Sequence, residues 1–278
     1  MWLGCEQLLC FLILFLIQIK GDDKTYKVAL SQYVPSSNNI TLSLLDFAKD
    51  SSLAQDQGAE MIIFPEFSLF SPTSRSQVED LCENISKFGA IPCDDPDNSN
   101  DNRTSADSNH DDEFSVVKQL SCIARQYGLY LLANFCNLDG DNIWNSNLVF
   151  DRHGALITEY RKSHVYLNKV FDQPSEPDYV TVNASFNNGT QTLGLFMCKD
   201  ILYPTPGPEL RKRGIVSFAY NSFIDFKIVS KPMFQLWSEE HSAILLASNA
   251  YAAVYINGTS VGHTVNDSIV VANLPFTP

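Results

Sequence analysis

The stretch Thr192-Leu193-Gly194-Leu195-Phe196-Met197-Cys198-Lys199-Asp200 decides how the chain is read. Its apolar part is too short for a helix and ends abruptly at a thiol with a cation and a carboxylate behind it. Such a run reads as a buried strand. A polar residue just beyond it stands where open α/β sheets gather reacting groups, past the carboxyl ends of strands. Two other stretches repeat the arrangement. Met61-Ile62-Ile63-Phe64 leads through Pro65 to Glu66, and Leu156-Ile157-Thr158-Glu159-Tyr160 leads through Arg161 to Lys162.

Working outward, strand and helix patterns alternate. Residues 26–34 read as a first strand. Residues 40–55, with Leu42, Leu45, Phe47, Ala48 and Leu53 near helical spacing, read as a helix that Gly58 ends. Residues 72–88 form a looser helical stretch, 114–127 a further helix and 129–135 a strand. Residues 147–150 and 155–160 flank Asp151-Arg152-His153-Gly154 as a hairpin. A short helix at 206–213, a strand at 215–219, a helix at 232–242 and strands at 244–248 and 253–256 complete the pattern, with no internal repeat. The alternation predicts a single α/β domain of sandwich type.

Residues 93–113 differ: eight acidic residues against one basic one, and almost nothing apolar to bury, predict a solvated insertion loop. Calcium is the other reading of so many Asp and Asn oxygens, but no ordered ligand spacing with a turn glycine supports it. The net charge of −13 argues against nucleic acid or an anionic membrane surface as a partner. The 45% apolar content fits a folded chain rather than a disordered one.

The N-terminus and the sequons speak to compartment. Residues 8–17 are an apolar run too short for a bilayer core of about 30 Å but of signal-peptide length, with polar residues resuming at Gln18 and Lys20. A signal peptide over residues 1–21 is expected, although no basic residue starts it; an uncleaved anchor or buried segment is the other reading. Asn-X-Ser/Thr occurs at Asn39, Asn84, Asn102, Asn183, Asn188, Asn257 and Asn266, so N-linked glycans and secretion are expected. Beyond Cys5 and Cys10 of the leader, five cysteines remain. An odd number in an oxidising compartment leaves one thiol unpaired. Cys82, Cys93, Cys122 and Cys136 fall in one stretch and can form two bridges of unassigned pairing, which leaves Cys198 as the candidate free thiol; the other reading pairs Cys198 and leaves one of the four free.

A thiol, a carboxylate and an ammonium at three strand ends make a nucleophile, a base and an electrostatic stabiliser. A free thiol is mostly protonated at neutral pH, with a reference pKa of about 8.5, so it needs a base or a cation beside it. Glu66 is the expected proton acceptor and Lys162 the oxyanion partner. The backbone N–H of Lys199 is a second oxyanion donor. Each residue taken singly has an ordinary structural explanation. The five histidines (His110, His153, His164, His241 and His263) show no metal-ligand spacing, so no metal or cofactor is expected.

Phe64-Pro65-Glu66, Tyr160-Arg161-Lys162 and the segment from Gly194 to Leu202 resemble the three catalytic segments of the nitrilase superfamily, in the same order. Within it the chain is similar to the vanin and biotinidase branch. Supporting stretches are Leu120-Ser121-Cys122-Ile123-Ala124, Trp144-Asn145-Ser146-Asn147-Leu148-Val149-Phe150-Asp151, Phe171-Asp172-Gln173-Pro174 and Leu246-Ala247-Ser248-Asn249. The resemblance implies an αββα sandwich over residues 26–278 and amide hydrolysis through a Cys198 thioester. It also implies pantetheine-like or biotinyl-amide substrates, an extracellular glycoprotein and, in some relatives, a lipid anchor. A homodimer is implied by analogy. On this resemblance the family's C-terminal β domain is expected to be largely missing here.

The chain departs from the family at three places. Lys199 follows the nucleophile where an aromatic residue is usual. Residues 218–223 replace a Pro-Thr-Ala-Trp pocket segment, with Phe223 at the Trp position. Asn168 or Lys169 stands where a supporting acidic residue is usual. These changes keep open a second expectation: a secreted binding or structural protein on the same scaffold with a weak or inactive site.

Overall fold

Strands β1 (Thr25–Ser31), β2 (Met61–Ile63) and β3 (Tyr130–Asp139) show how the layers arise. Along them Val28, Leu30, Met61, Ile63 and Leu132 enter one apolar core, while Ala29, Ile62, Leu131 and Ala133 enter another. Successive side chains point to opposite faces of a sheet, and here both faces are covered. That is why Val28–Leu30, Met61–Ile63 and Leu131–Ala133 are continuously apolar rather than alternating. The computed structural model describes residues 24–35, 38–94, 114–166, 169–224 and 226–278.

One core lies under helices α1 (Ile40–Asp56) and α3 (Val116–Tyr127), which contribute Leu44, Phe47, Leu120 and Ala124. The other lies between two sheets. The first sheet adds β4 (Asn142–Phe150), β5 (Leu156–Arg161), β12 (His263–Val265) and β13 (Ile269–Pro275), in the order β12-β13-β1-β2-β3-β4-β5. The second comprises β6 (Thr181–Phe186), β7 (Gly189–Met197), β8 (Ser217–Asn221), β9 (Ile244–Ser248), β10 (Ala253–Ile256) and β11 (Thr259–Val261), in the order β11-β10-β9-β8-β7-β6. Helix α5 (Lys227–Glu240) covers the outer face of this second sheet through Phe234 and Trp237. The layers are therefore helix, sheet, sheet, helix, the expected αββα sandwich. Two short helices, α2 (Arg75–Glu79) and α4 (Gly207–Lys212), sit in connections.

Parallel pairing runs β1 with β2, β2 with β3, β7 with β8 and β8 with β9. The carboxyl ends of β2, β7 and β8 carry a polar seam between the sheets. Asn147 and Asn221 exchange side-chain hydrogen bonds of 2.8 and 2.9 Å, and Asn221 also donates to the Phe64 carbonyl at 3.2 Å. The Ser248 hydroxyl lies 2.9 Å from the carbonyls of both Ser31 and Ile63. Most buried polar groups are hydrogen-bonded, and these bonds let the chain place charged side chains between two apolar layers.

Several expectations shift. The first strand stops at Ser31 rather than continuing to residue 34. The Ser31 hydroxyl, which donates to Asp50 at 2.7 Å, accepts from Tyr33 N at 3.0 Å and diverts the backbone from the ladder. Only Arg75–Glu79 is helical within 72–88. Beyond it Cys82 is tied to Cys136 and Glu83 forms a β-bridge with Asn137, so tertiary ties override the local periodicity. Helix α5 begins at Lys227 and carries Pro232 inside it instead of starting there. Strands β6, β11, β12 and β13 had no counterpart in the sequence reading.

The disulfides are Cys82–Cys136 and Cys93–Cys122, and Cys198 is free. Asn39, Asn84, Asn183, Asn188, Asn257 and Asn266 are all exposed. The leader at 1–21, most of the acidic loop at 93–113 with Asn102, and Asn168 lie outside the described residues. Among the described residues no helix is long and apolar enough to cross a membrane.

Candidate active site

Glu66, Lys162 and Cys198, far apart in sequence, come together at the polar seam. Pro65 and Glu66 leave β2 into a turn in which Phe67 takes a left-handed φ of 56°. Its N–H donates to Asn134 Oδ1 at 2.9 Å, which fixes the turn to β3. Lys162 leaves β5, its backbone N–H held by the Asn145 carbonyl at 2.9 Å. Cys198 leaves β7 with a φ of 47°, a conformation that costs a non-glycine residue about 1–2 kcal/mol and persists only where its surroundings impose it.

Those surroundings are visible. Asp200, fully buried, accepts from Tyr160 Oη at 2.6 Å, from Met197 N at 3.0 Å and from His164 N at 2.8 Å. His164 Nδ1 lies 2.9 Å from the same carboxylate, and its ring stacks on Tyr203 with centroids 3.8 Å apart. One carboxylate therefore ties the segment carrying Lys162 to the turn carrying Cys198. The Tyr220 hydroxyl donates to the Cys198 carbonyl at 3.1 Å and braces the turn from β8.

Glu66 and Lys162 are 1% and 2% exposed and form a buried ion pair through Glu66 Oε1 and Lys162 Nζ. Asn145 Nδ2 donates to the same oxygen at 3.0 Å, and Asn145 Oδ1 accepts from Asn134 Nδ2 at 2.7 Å. A buried ion pair is retained only when its remaining valences are well met, and the two asparagines meet them on this side. Glu66 Oε2 makes no hydrogen bond.

Burial works against the Lys162 charge, but Glu66 and Cys198 beside it outweigh burial and hold the ammonium above its usual value. The Cys198 thiol moves the other way. Burial and the adjacent Glu66 carboxylate push it up to about 12, against the pull of Lys162 and the Phe223 backbone N–H. The resting site is thus an ammonium–carboxylate pair beside a neutral thiol. In such an arrangement a thiol can become a nucleophile by handing its proton to the carboxylate as it attacks.

Lys199 does not act as a cation beside the sulfur. Its Nζ lies 3.4 Å from the Val165 carbonyl and 5.7 Å from the Tyr203 ring centroid. Lys169 is exposed, and the carboxylates acting on Lys162 are Glu66 and Asp200. Phe223, at the Trp position of the family pattern, packs edge-on against Phe67 at 5.8 Å. Beside Glu66 a narrow cavity of about 10 Å³ is bounded by Tyr33, Val34, Pro35, Ser222 and Phe223. Among the described residues no three His, Cys, Asp or Glu side chains are grouped to hold a metal ion.

Sequence reasoning missed Asn145, Asp200, Tyr220 and the Phe223 N–H. The first had a signal, since Asn145-Ser146-Asn147 interrupts an apolar strand. The Phe223 contribution is a backbone atom and leaves none.

The family model for carbon–nitrogen hydrolases matches residues 27–273. The chain is similar to biotinidase of Takifugu rubripes, with 32% identity over 187 residues, covering 61% of this chain and 34% of that protein. It is similar to vanin-like protein 3 of Drosophila melanogaster, with 34% identity over 150 residues (48% of this chain, 28% of that one). Pantetheinase of Bos taurus is 31% identical over 188 residues, 62% and 33% of the two chains. The chain thus spans about a third of the length of the curated relatives it matches. An amidase from Nesterenkonia sp. shares the fold with a TM-score of 0.66 at 18% identity, covering 90% of both chains.

Proposed function

Because the chain belongs to the carbon–nitrogen hydrolase family, we propose that it hydrolyses a linear amide through a thioester on Cys198. The observation that carries this reading is the burial of the Glu66–Lys162 pair against the Cys198 thiol. Glu66 takes the thiol proton as sulfur adds to the amide carbonyl. Lys162 and the backbone N–H of Lys199 stabilise the oxyanion; removing such a donor typically costs about 2.7–4 kcal/mol of transition-state stabilisation. The proton on Glu66 then passes to the departing amine. In the second half Glu66 takes a proton from water, and the sulfur leaves with that proton as the acid forms.

Pantetheine-like or biotinyl amides are the proposed substrates, on the strength of the names of the relatives. Secretion as a glycoprotein is supported by the two disulfides and by the six exposed sequon asparagines. The test is hydrolysis of pantetheine and biocytin by the purified protein beside Cys198→Ala. Turnover lost in the variant is the expected result; no turnover from folded protein would sink the reading.

The narrowness of the cavity beside Glu66 favours one second reading, a binding protein that keeps the catalytic residues without turning over. A thiol-directed probe separates the two. Labelling of Cys198 that an amide substrate blocks supports the enzyme, and labelling indifferent to amides supports the binding protein.

A further inference from the structure

Glu66 Oε2 and Ser222 Oγ are buried oxygens on one cavity: the first makes no hydrogen bond, and the second lies by the Tyr220 hydroxyl without a well-formed bond to it. A buried hydroxyl left unbonded costs about 1–3 kcal/mol, so such an atom calls for an explanation. Both residues bound the same cavity of about 10 Å³, close to the space that one water molecule requires. The cavity is otherwise walled by apolar groups, chiefly Val34, Pro35 and Phe223. Two of its walls also act on the sulfur: the Glu66 carboxylate and the Phe223 N–H both interact with the Cys198 thiol.

The geometry points to Ser222 as the residue that positions the hydrolytic water for the second half of the reaction. This rests on the thioester reading above and adds to it a residue specific to the deacylation step. Ser222 is fully buried just past β8, its backbone N–H bonded to the Ser248 carbonyl at 3.0 Å, so its main chain is held in place. It lies close enough to the Tyr220 hydroxyl to perturb it. With its own proton turned towards Tyr220, Ser222 Oγ is left as an acceptor. Water in the cavity then donates one hydrogen to Glu66 Oε2 and the other to Ser222 Oγ, which leaves a lone pair free for the thioester carbon.

The step balances. The water oxygen forms a bond to the acyl carbon as its proton moves to Glu66. The tetrahedral adduct then breaks its carbon–sulfur bond, and the proton on Glu66 goes to the departing Cys198 sulfur. The products are a carboxylic acid and the regenerated thiol; no oxidant, reductant or cofactor is consumed. The first half of the reaction uses no water, so Ser222 has no part in it.

The test separates the two halves. p-Nitrophenyl acetate acylates Cys198 without requiring any particular amide, release of p-nitrophenolate reports acylation, and intact mass reports the acetyl group on the protein. In Ser222→Ala the acylation rate should equal that of the wild type, which also shows that the variant is folded. Loss of the acetyl group should slow about fivefold to tenfold, the value of one hydrogen bond, and the acetylated protein should accumulate. Equal deacetylation rates would overturn the inference, as would a variant in which acylation falls as well. Wild-type protein that takes no acetyl group on Cys198 would instead remove the thioester reading on which it rests.

Discussion

Replacing Glu66 with Gln should change two observables in opposite directions. The Cys198 thiol is held up to about 12 by burial and by the Glu66 carboxylate, while Lys162 and the Phe223 N–H pull it down. At neutral pH the thiol therefore keeps its proton almost entirely. Glu66→Gln keeps the shape and removes the negative charge that opposes the thiolate, while the buried Lys162 ammonium, with Asp200 as its remaining carboxylate, still favours it. A unit charge at this range shifts a neighbour by about 1–3 pKa units. The thiolate fraction, and the rate of alkylation by iodoacetamide, should therefore rise about 10- to 1000-fold at neutral pH. Amide hydrolysis should fall about 10²- to 10⁴-fold, because the base is gone. The assay is alkylation followed by intact mass between pH 6 and 10, which yields the thiol pKa of each protein. Glu66→Gln protein that is folded yet alkylates no faster than wild type would refute the electrostatic account of the site.

Other outcomes follow from the same structure. Asp200→Asn turns one donating NH₂ edge towards the cluster of Tyr160, Met197 and His164 donors; urea unfolding should show a loss of about 3 kcal/mol, with amide hydrolysis reduced as the Cys198 turn loosens. Gly194→Ala would place a Cβ 2.8 Å from the Phe218 ring and 3.2 Å from Ile215, so the same measurement should show a loss of about 1–3 kcal/mol. Alkaline stability should fall between pH 9 and 12. Cys198 and Tyr26 are each raised to about 12 in the fold from ordinary values of 9.0 and 10.0. Below pH 9 both states keep these protons and nothing is lost; above it the unfolded chain releases them first, and the balance shifts towards unfolding. Tyrosinate absorbance followed against circular dichroism checks this, and ionisation well before unfolding would contradict it.

The sequence made the buried strands and the three charged strand ends legible for one reason. A segment covered on both faces is mostly apolar, so a charged residue at its end stands out. Strand β6 was equally open to reading, with Val182, Ala184 and Phe186 inward and Thr181, Asn183 and Ser185 alternating with them. It was missed because its residues are mild. Strands β11 and β12, three residues each, are too short to carry a period. Strand β13 is apolar enough to have been read; what the sequence does not show is its pairing with β1, some 240 residues away. In the site, Glu66, Lys162 and Cys198 were visible as residue types, whereas the protonation of the thiol was not. That follows from burial and from one distant carboxylate, which only folding supplies. Nor does the sequence show where the Lys199 ammonium goes, since adjacency in the chain does not place it beside the sulfur.

The protonated thiol has a consequence for the life of the protein outside catalysis. Disulfides Cys82–Cys136 and Cys93–Cys122 close under oxidising conditions, and Cys198 meets the same conditions as the unpaired cysteine among the described residues. Disulfide exchange and oxidation to a sulfenic acid both begin from thiolate. A sulfur that keeps its proton, with Glu66 awaiting an acyl group before accepting it, is a poor partner for either. Burial and the Glu66 charge, by holding that proton, act together against both the scrambling of the two disulfides and the oxidation of Cys198.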